Sequence, residues 1–172
     1  MVSDENSGGV IISFHAFDPR VSIRETIGYT KYVNDTDIST VSVTDSYGDK
    51  VYIPMWLPGE VRSGNLPEMP FIEMKLVSSP ASPMNIGANV REQDCHIDFH
   101  LYYVNMSNIT PTIFGKTVAD EVVDLITTYR CSTPSLVFME VVNDGIEYEE
   151  YGKDNTTVVF HRVIEVHCKN FD

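Results

Sequence analysis

Basic residues are scarce in this 172-residue chain: 12 Lys and Arg stand against 25 Asp and Glu, for a formal net charge of -13. A face that grips phosphate backbones needs clustered Lys and Arg, so nucleic-acid recognition by charge is excluded as an expectation. Cysteine is sparse too. Cys95, Cys131 and Cys168 are too few, and odd in number, for a disulfide framework. No apolar h-region follows Met1-Val2-Ser3-Asp4-Glu5, which points to synthesis in a reducing, intracellular compartment. The apolar runs fall far short of the ~20 residues that cross a bilayer, so no membrane span is expected. Neither GxGxxG nor GxxxxGK followed by Ser or Thr occurs, which removes the simplest nucleotide-binding sites. No repeat of fixed period is visible.

What the chain does have is apolar material, 42% of its residues, enough at this length for one core that removes roughly 70% of the unfolded surface from water. One domain over residues 10–172 is expected. The polar, Gly-rich Met1–Gly9 ahead of it reads as disordered.

Local patterns order the elements. Asp18-Pro19 and the capping box Ser22-Ile23-Arg24-Glu25 both signal a helix start, with the helix running to about Val33. Ile38–Thr44 and Lys50–Leu57 flank the turn residues Asp45-Ser46-Tyr47-Gly48-Asp49 and read as a hairpin. Pro54 cannot donate to a ladder, so it assigns the second strand to an edge or a bulge. Loops are expected over 58–70 and 78–89. Between them Phe71–Val77 alternates, with Ile72, Met74 and Leu76 on one face.

Cys95, Ile97, Phe99, Leu101 and Tyr103 alternate with His96, Asp98, His100 and Tyr102, the clearest strand in the chain. Thr110-Pro111 then caps a helix whose Phe114, Val118, Val122, Leu125 and Tyr129 recur every three or four residues. Ser135–Val142 reads as a strand closed by the turn Asn143-Asp144-Gly145. An acidic loop, Glu147-Tyr148-Glu149-Glu150-Tyr151, and a turn at 152–155 lead to a last strand over Thr156–Cys168.

The histidines invite a metal reading, which strand geometry opposes. At ~3.3 Å per residue, His96 and His100 lie ~13 Å apart and His161 and His167 about 20 Å apart, so neither same-strand pair shares one ion. A pair with one histidine from each strand stays open, but no metal or cofactor is expected. A Cys–His nucleophile built on Cys168 or Cys131 has no flanking signature, and His167 and Cys168 point to opposite faces. The Glu147–Glu150 acids sit in an expected loop without apolar walls, so a general acid/base pair is not indicated.

In element order the chain resembles the tail terminator proteins of long-tailed viruses. Carrying the likeness are Met69-Pro70-Phe71-Ile72-Glu73-Met74, Val90-Arg91-Glu92 leading into Cys95–Tyr103, Lys116–Ile126, and His161-Arg162-Val163-Ile164-Glu165-Val166, about two-thirds of the chain. The resemblance implies an α+β fold, a small mixed, mostly antiparallel sheet with two helices packed on it and long loops. It implies no enzyme activity and no cofactor. It implies a virion protein of the tail or neck, made in the host cytoplasm, whose copies form a ring, hexameric in the family. The ring caps the tail tube and meets the head-tail connector or stopper protein, and DNA passes its lumen unbound, repelled by acidic side chains. By the same analogy Met84 and Asn85 in one loop, and Glu147, Tyr148, Glu149, Glu150 and Tyr151 in another, are the interface candidates. Other readings are a different neck protein such as a stopper or tail-completion factor, a non-viral α+β interaction module, and a small hydrolase.

Overall fold

The computed structural model describes residues 18–33, 36–60, 68–78, 81–83, 91–105, 109–130, 138–151 and 157–171. In chain order the elements are α1 (Pro19–Ile27), β1 (Tyr29–Val33), β2 (Thr36–Thr44), β3 (Lys50–Trp56), β4 (Phe71–Ser78), β5 (Ala81–Pro83), β6 (Arg91–Val104), α2 (Pro111–Tyr129), β7 (Phe138–Tyr151) and β8 (Val158–Phe171). Expectations placed on Met1–Gly9, Met84, Asn85, Cys131 and the turn at 152–155 fall outside the described residues.

The strands form one sheet in the order β1-β2-β3-β4-β6-β8-β7, with β5 added beside β6. Every pairing is antiparallel except β3 with β4. This is the expected α+β class: a mixed, mostly antiparallel sheet with two helices. Helix α2 packs against β7, β6 and β8 and also against β2 near the other end of the strand order, so the sheet curls around it. Its buried stripe is Phe114, Val118, Ala119, Val122, Leu125 and Ile126. Facing it are Ile97, Phe99, Leu101 and Tyr103 of β6 and Ile164, Val166 and Cys168 of β8, all buried in one core cluster. Each such aliphatic side chain removed from water contributes about 1.5–3 kcal/mol.

Several expectations are corrected. Helix α1 ends at Ile27 rather than near Val33, because Tyr29, Thr30, Tyr32 and Val33 are strand formers that pair with β2. Its cap is Asp18, whose carboxylate accepts from the Arg20 amide, and Ser22 lies inside the helix, where its carbonyl accepts from the Thr26 hydroxyl. Strand β3 is not an edge. Its pairing with β2 ends at Thr40↔Pro54 and its parallel pairing with β4 begins at Met55↔Ile72, so Pro54 stands where the strand changes partners. The chain does not turn at Asn143–Gly145: β7 continues from Phe138 to Tyr151, with a register irregularity between Val141 and Ile146. Gly145 takes the positive φ of 107° there, and its amide donates to the Asn143 side chain. The acidic segment Glu147–Tyr151 is therefore strand and not loop.

The last strand also runs beyond Cys168 to Phe171, and Ala81–Pro83 inside the expected 78–89 loop adds a short strand to β6.

Candidate functional site

The alternation that sends Cys95, Ile97, Phe99, Leu101 and Tyr103 into the core sends Asp94, His96, Asp98, His100 and Tyr102 to the other face of the sheet. On β8, Ile164, Val166 and Cys168 point inward and leave His161, Val163, Glu165 and His167 outward. Strands β6 and β8 pair along thirteen positions, which places these outward sets side by side. The result is a ladder of chemistry-bearing rows across four strands.

The first row is aromatic. Phe71, Tyr102, His161 and Tyr148 hold register positions opposite one another. Their ring centroids follow at 5.1, 4.4 and 5.9 Å, so each ring leans on the next. In the next row Glu73 lies opposite His100. The His100 and His161 rings stack at 5.1 Å, and Nδ1 of His100 stands 2.8 Å from Nε2 of His161. The outer nitrogens of the pair face carboxylates: Glu150 Oε1 is 3.7 Å from His161 Nδ1 and Asp98 Oδ2 is 3.9 Å from His100 Nε2. Burial, then the Lys75 ammonium and His161, hold His100 down at about 4. Burial lowers the His161 pKa as well, against the pull of Glu150. Both rings are neutral at pH 7.

A third row sets Asp98 directly opposite Glu165, two like charges on neighbouring strands that repel unless something offsets them. Burial raises the Asp98 pKa and the Glu165 charge adds to it. A cleft of about 390 Å³ opens at this row, lined by Val77, Ser78, His96, Asp98, Glu165 and Val166. The fourth row stacks His96 on His167 at 4.9 Å, with His167 Nε2 2.8 Å from Asp94 Oδ1 and its Nδ1 3.4 Å from Glu140 Oε1. The hydrogen bond with His167 lowers the Asp94 pKa.

The same-strand histidine pairs thus stay apart, while both cross-strand pairs form. Among the described residues no three imidazole, carboxylate or thiolate groups converge as a metal-ligand set. Cys95 and Cys168 are register partners on the core side, both fully buried. Burial, with Cys95 beside it, pushes the Cys168 thiol up, so at neutral pH it is not the thiolate that attacks a carbonyl. His167 lies on the opposite face from it.

A scan against protein-family models and a search of curated proteins each return no match. Function is therefore read from the fold and its surface chemistry.

The interface candidates on β7 divide. Glu147 turns inward: the Tyr103 hydroxyl donates to its Oε2, the Thr112 hydroxyl donates to Oε1 at 3.0 Å, and Arg162 stands 3.9 Å away. It closes a polar contact between the start of α2 and the sheet. Tyr148, Glu149 and Glu150 are exposed, and Tyr151 ends the strand. The inward set was hidden in the sequence because a loop assignment gives Glu147 no face. Gly115 opposite it was the available signal, a small residue on the buried stripe of α2 where the Tyr103 ring comes close.

No helix among the described residues is long and apolar enough to cross a membrane.

Proposed function

We propose that this chain is a structural subunit of a head-to-tail joining ring, a tail terminator of a long-tailed virus. The observation that carries the reading is the layout of the sheet. Its order begins at β1 and ends at β7, and neither has a second strand partner among the described residues. A head-to-tail ring needs two different surfaces on each subunit, one to give and one to receive. Two edges at opposite ends of one sheet supply such a pair, and backbone groups along an edge are ready to accept an added strand.

The tracts behind the resemblance also fall on consecutive parts of this body. Met69–Met74 leads into β4, Arg91 opens β6, Lys116–Ile126 is most of the buried stripe of α2, and His161–Val166 is the middle of β8. At -13 per copy, a closed ring is strongly negative as a whole, which disfavours sticking of a passing DNA duplex. In this reading the exposed Tyr148, Glu149 and Glu150 meet the tail tube protein or the connector.

Electron microscopy of the purified full chain, alone and with tail tubes, tests the proposal. Closed rings with a central hole that seat on tube ends are the expected result. Particles of single-chain size that leave tube ends bare would overturn it.

A further inference from the structure

We propose that Cys95 and Cys168 are a disulfide site, bridged when the chain meets a small oxidised disulfide of the glutathione type. Two buried cysteines can fill a core as small apolar side chains do, and that role asks for no particular register. These two hold a specific one. They stand directly opposite each other on β6 and β8, both on the core side of the sheet. Both are reduced, and their thiols are in hydrogen-bond contact.

The ladder supplies the geometry that a bridge needs. Residues directly opposite on antiparallel strands have Cα atoms about 4.5–5.5 Å apart. A disulfide spans Cα separations of about 4.4–6.8 Å and fails where the Cβ vectors point apart. Two cysteines on one rung and one face meet both conditions with no change of register.

Access sets when the bridge forms. Both side chains are fully buried, so a closed ladder shields them from a dissolved oxidant. Beyond the pair lie only Asp94↔Lys169, Gln93↔Asn170 and Glu92↔Phe171 on the β6 side and Phe138↔Lys169 on the β7 side. Peeling this end of β8 bares Cys168, a far smaller opening than global unfolding. One protein thiolate then attacks a sulfur of glutathione disulfide and releases one glutathione thiolate. As the ladder recloses, the opposed cysteine attacks the protein sulfur of the mixed disulfide and releases the second. Two protein thiols give up two electrons and two protons, and one glutathione disulfide becomes two glutathione thiols. In a reducing compartment the chain folds with both thiols reduced; in an oxidising one it gains a bridge that ties β6 to β8 and encloses α2 and β7 in the loop. A single subunit suffices, so the inference is independent of the ring reading.

The test is incubation of the folded full chain carrying Cys131→Ser with excess oxidised glutathione, followed by mass spectrometry of unreduced peptides. A linked Cys95–Cys168 peptide pair and a chain mass lower by roughly 2 Da are expected. The melting temperature should rise by roughly 5 °C or more and fall back on reduction with dithiothreitol. Cys168→Ser in the same background should stop at a glutathione adduct on Cys95. In the unaltered protein, the Cβ carbon resonances of both Cys95 and Cys168 should move downfield on oxidation, a readout that needs no variant to fold. Thiols that both survive the oxidant, a glutathione adduct that persists on the Cys131→Ser chain without a link, or a link that lowers the melting temperature would each overturn the proposal.

Discussion

Glu147 shows how much one residue's meaning depends on its partner. In the sequence it belongs to an acidic run with Glu149 and Glu150. In the fold it is the acceptor for the fully buried Tyr103 ring's hydroxyl. Replacing it with Ala leaves that hydroxyl unsatisfied, which costs about 1–3 kcal/mol. Urea denaturation should show this loss, and a Tyr103→Phe background should absorb most of it; an equal loss in both backgrounds would mean that the contact does not carry the effect. A charge-reversal test of docking therefore belongs at Glu149 and Glu150, where Lys substitution should leave the melting temperature nearly unchanged. His100 is a second case. Folding lowers its pKa from 6.5 to about 4, so between those values the unfolded chain binds more protons than the folded one. Stability then rises with pH through this window and falls as acid is added. Melting curves from pH 7 to pH 4 should show that slope, and His100→Gln should flatten it. A slope that persists unchanged in the variant would place the proton uptake elsewhere.

At the scale of elements, periodicity was legible and partner choice was not. The inward set of β6 and the stripe of α2 could be read because each depends only on spacing along one segment. Which outward residues meet depends on the pairing of β6 with β8, where His100 and His161 are 61 residues apart, and no local pattern encodes that register. Boundaries failed where two propensities competed. Tyr29–Val33 reads from the capping signals as a continuation of α1 but is rich in strand formers, and β2 was there to receive it. Asn143-Asp144-Gly145 has turn chemistry that the chain spends on an irregularity in β7, so the acids beyond it stay in the sheet. Helix α2 offers a test by sign. Gly→Ala inside a helix ordinarily stabilises by about 1 kcal/mol. At Gly115 the added Cβ would run into the Tyr103 ring and its hydroxyl, and overpacking of this kind costs about 1–3 kcal/mol. Thermal unfolding of Gly115→Ala should therefore show a lower midpoint; a higher one would mean that the helix stands off the sheet.

For the whole molecule, the α+β class followed from element order, and the curl of the sheet around α2 did not, because it arises from α2 touching both β7 and β2, a meeting of distant segments that none of them announces. The same holds for the two ends of the strand order, which have no second strand partner among the described residues. Strand β7 is long and ends in exposed acids and Tyr148, while β1 closes the other end with five residues. In the proposed reading these edges, unpaired among the described residues, receive another chain, and because they are unlike the contact is head-to-tail, which closes into a ring where the rotation between copies allows it. The mass of the purified full chain in solution, measured by native mass spectrometry or light scattering across a hundredfold range of concentration, bears on this most directly. A closed assembly of about six chains that persists on dilution is the predicted result. A monomer at every concentration, or a symmetric dimer that grows no further, would contradict it.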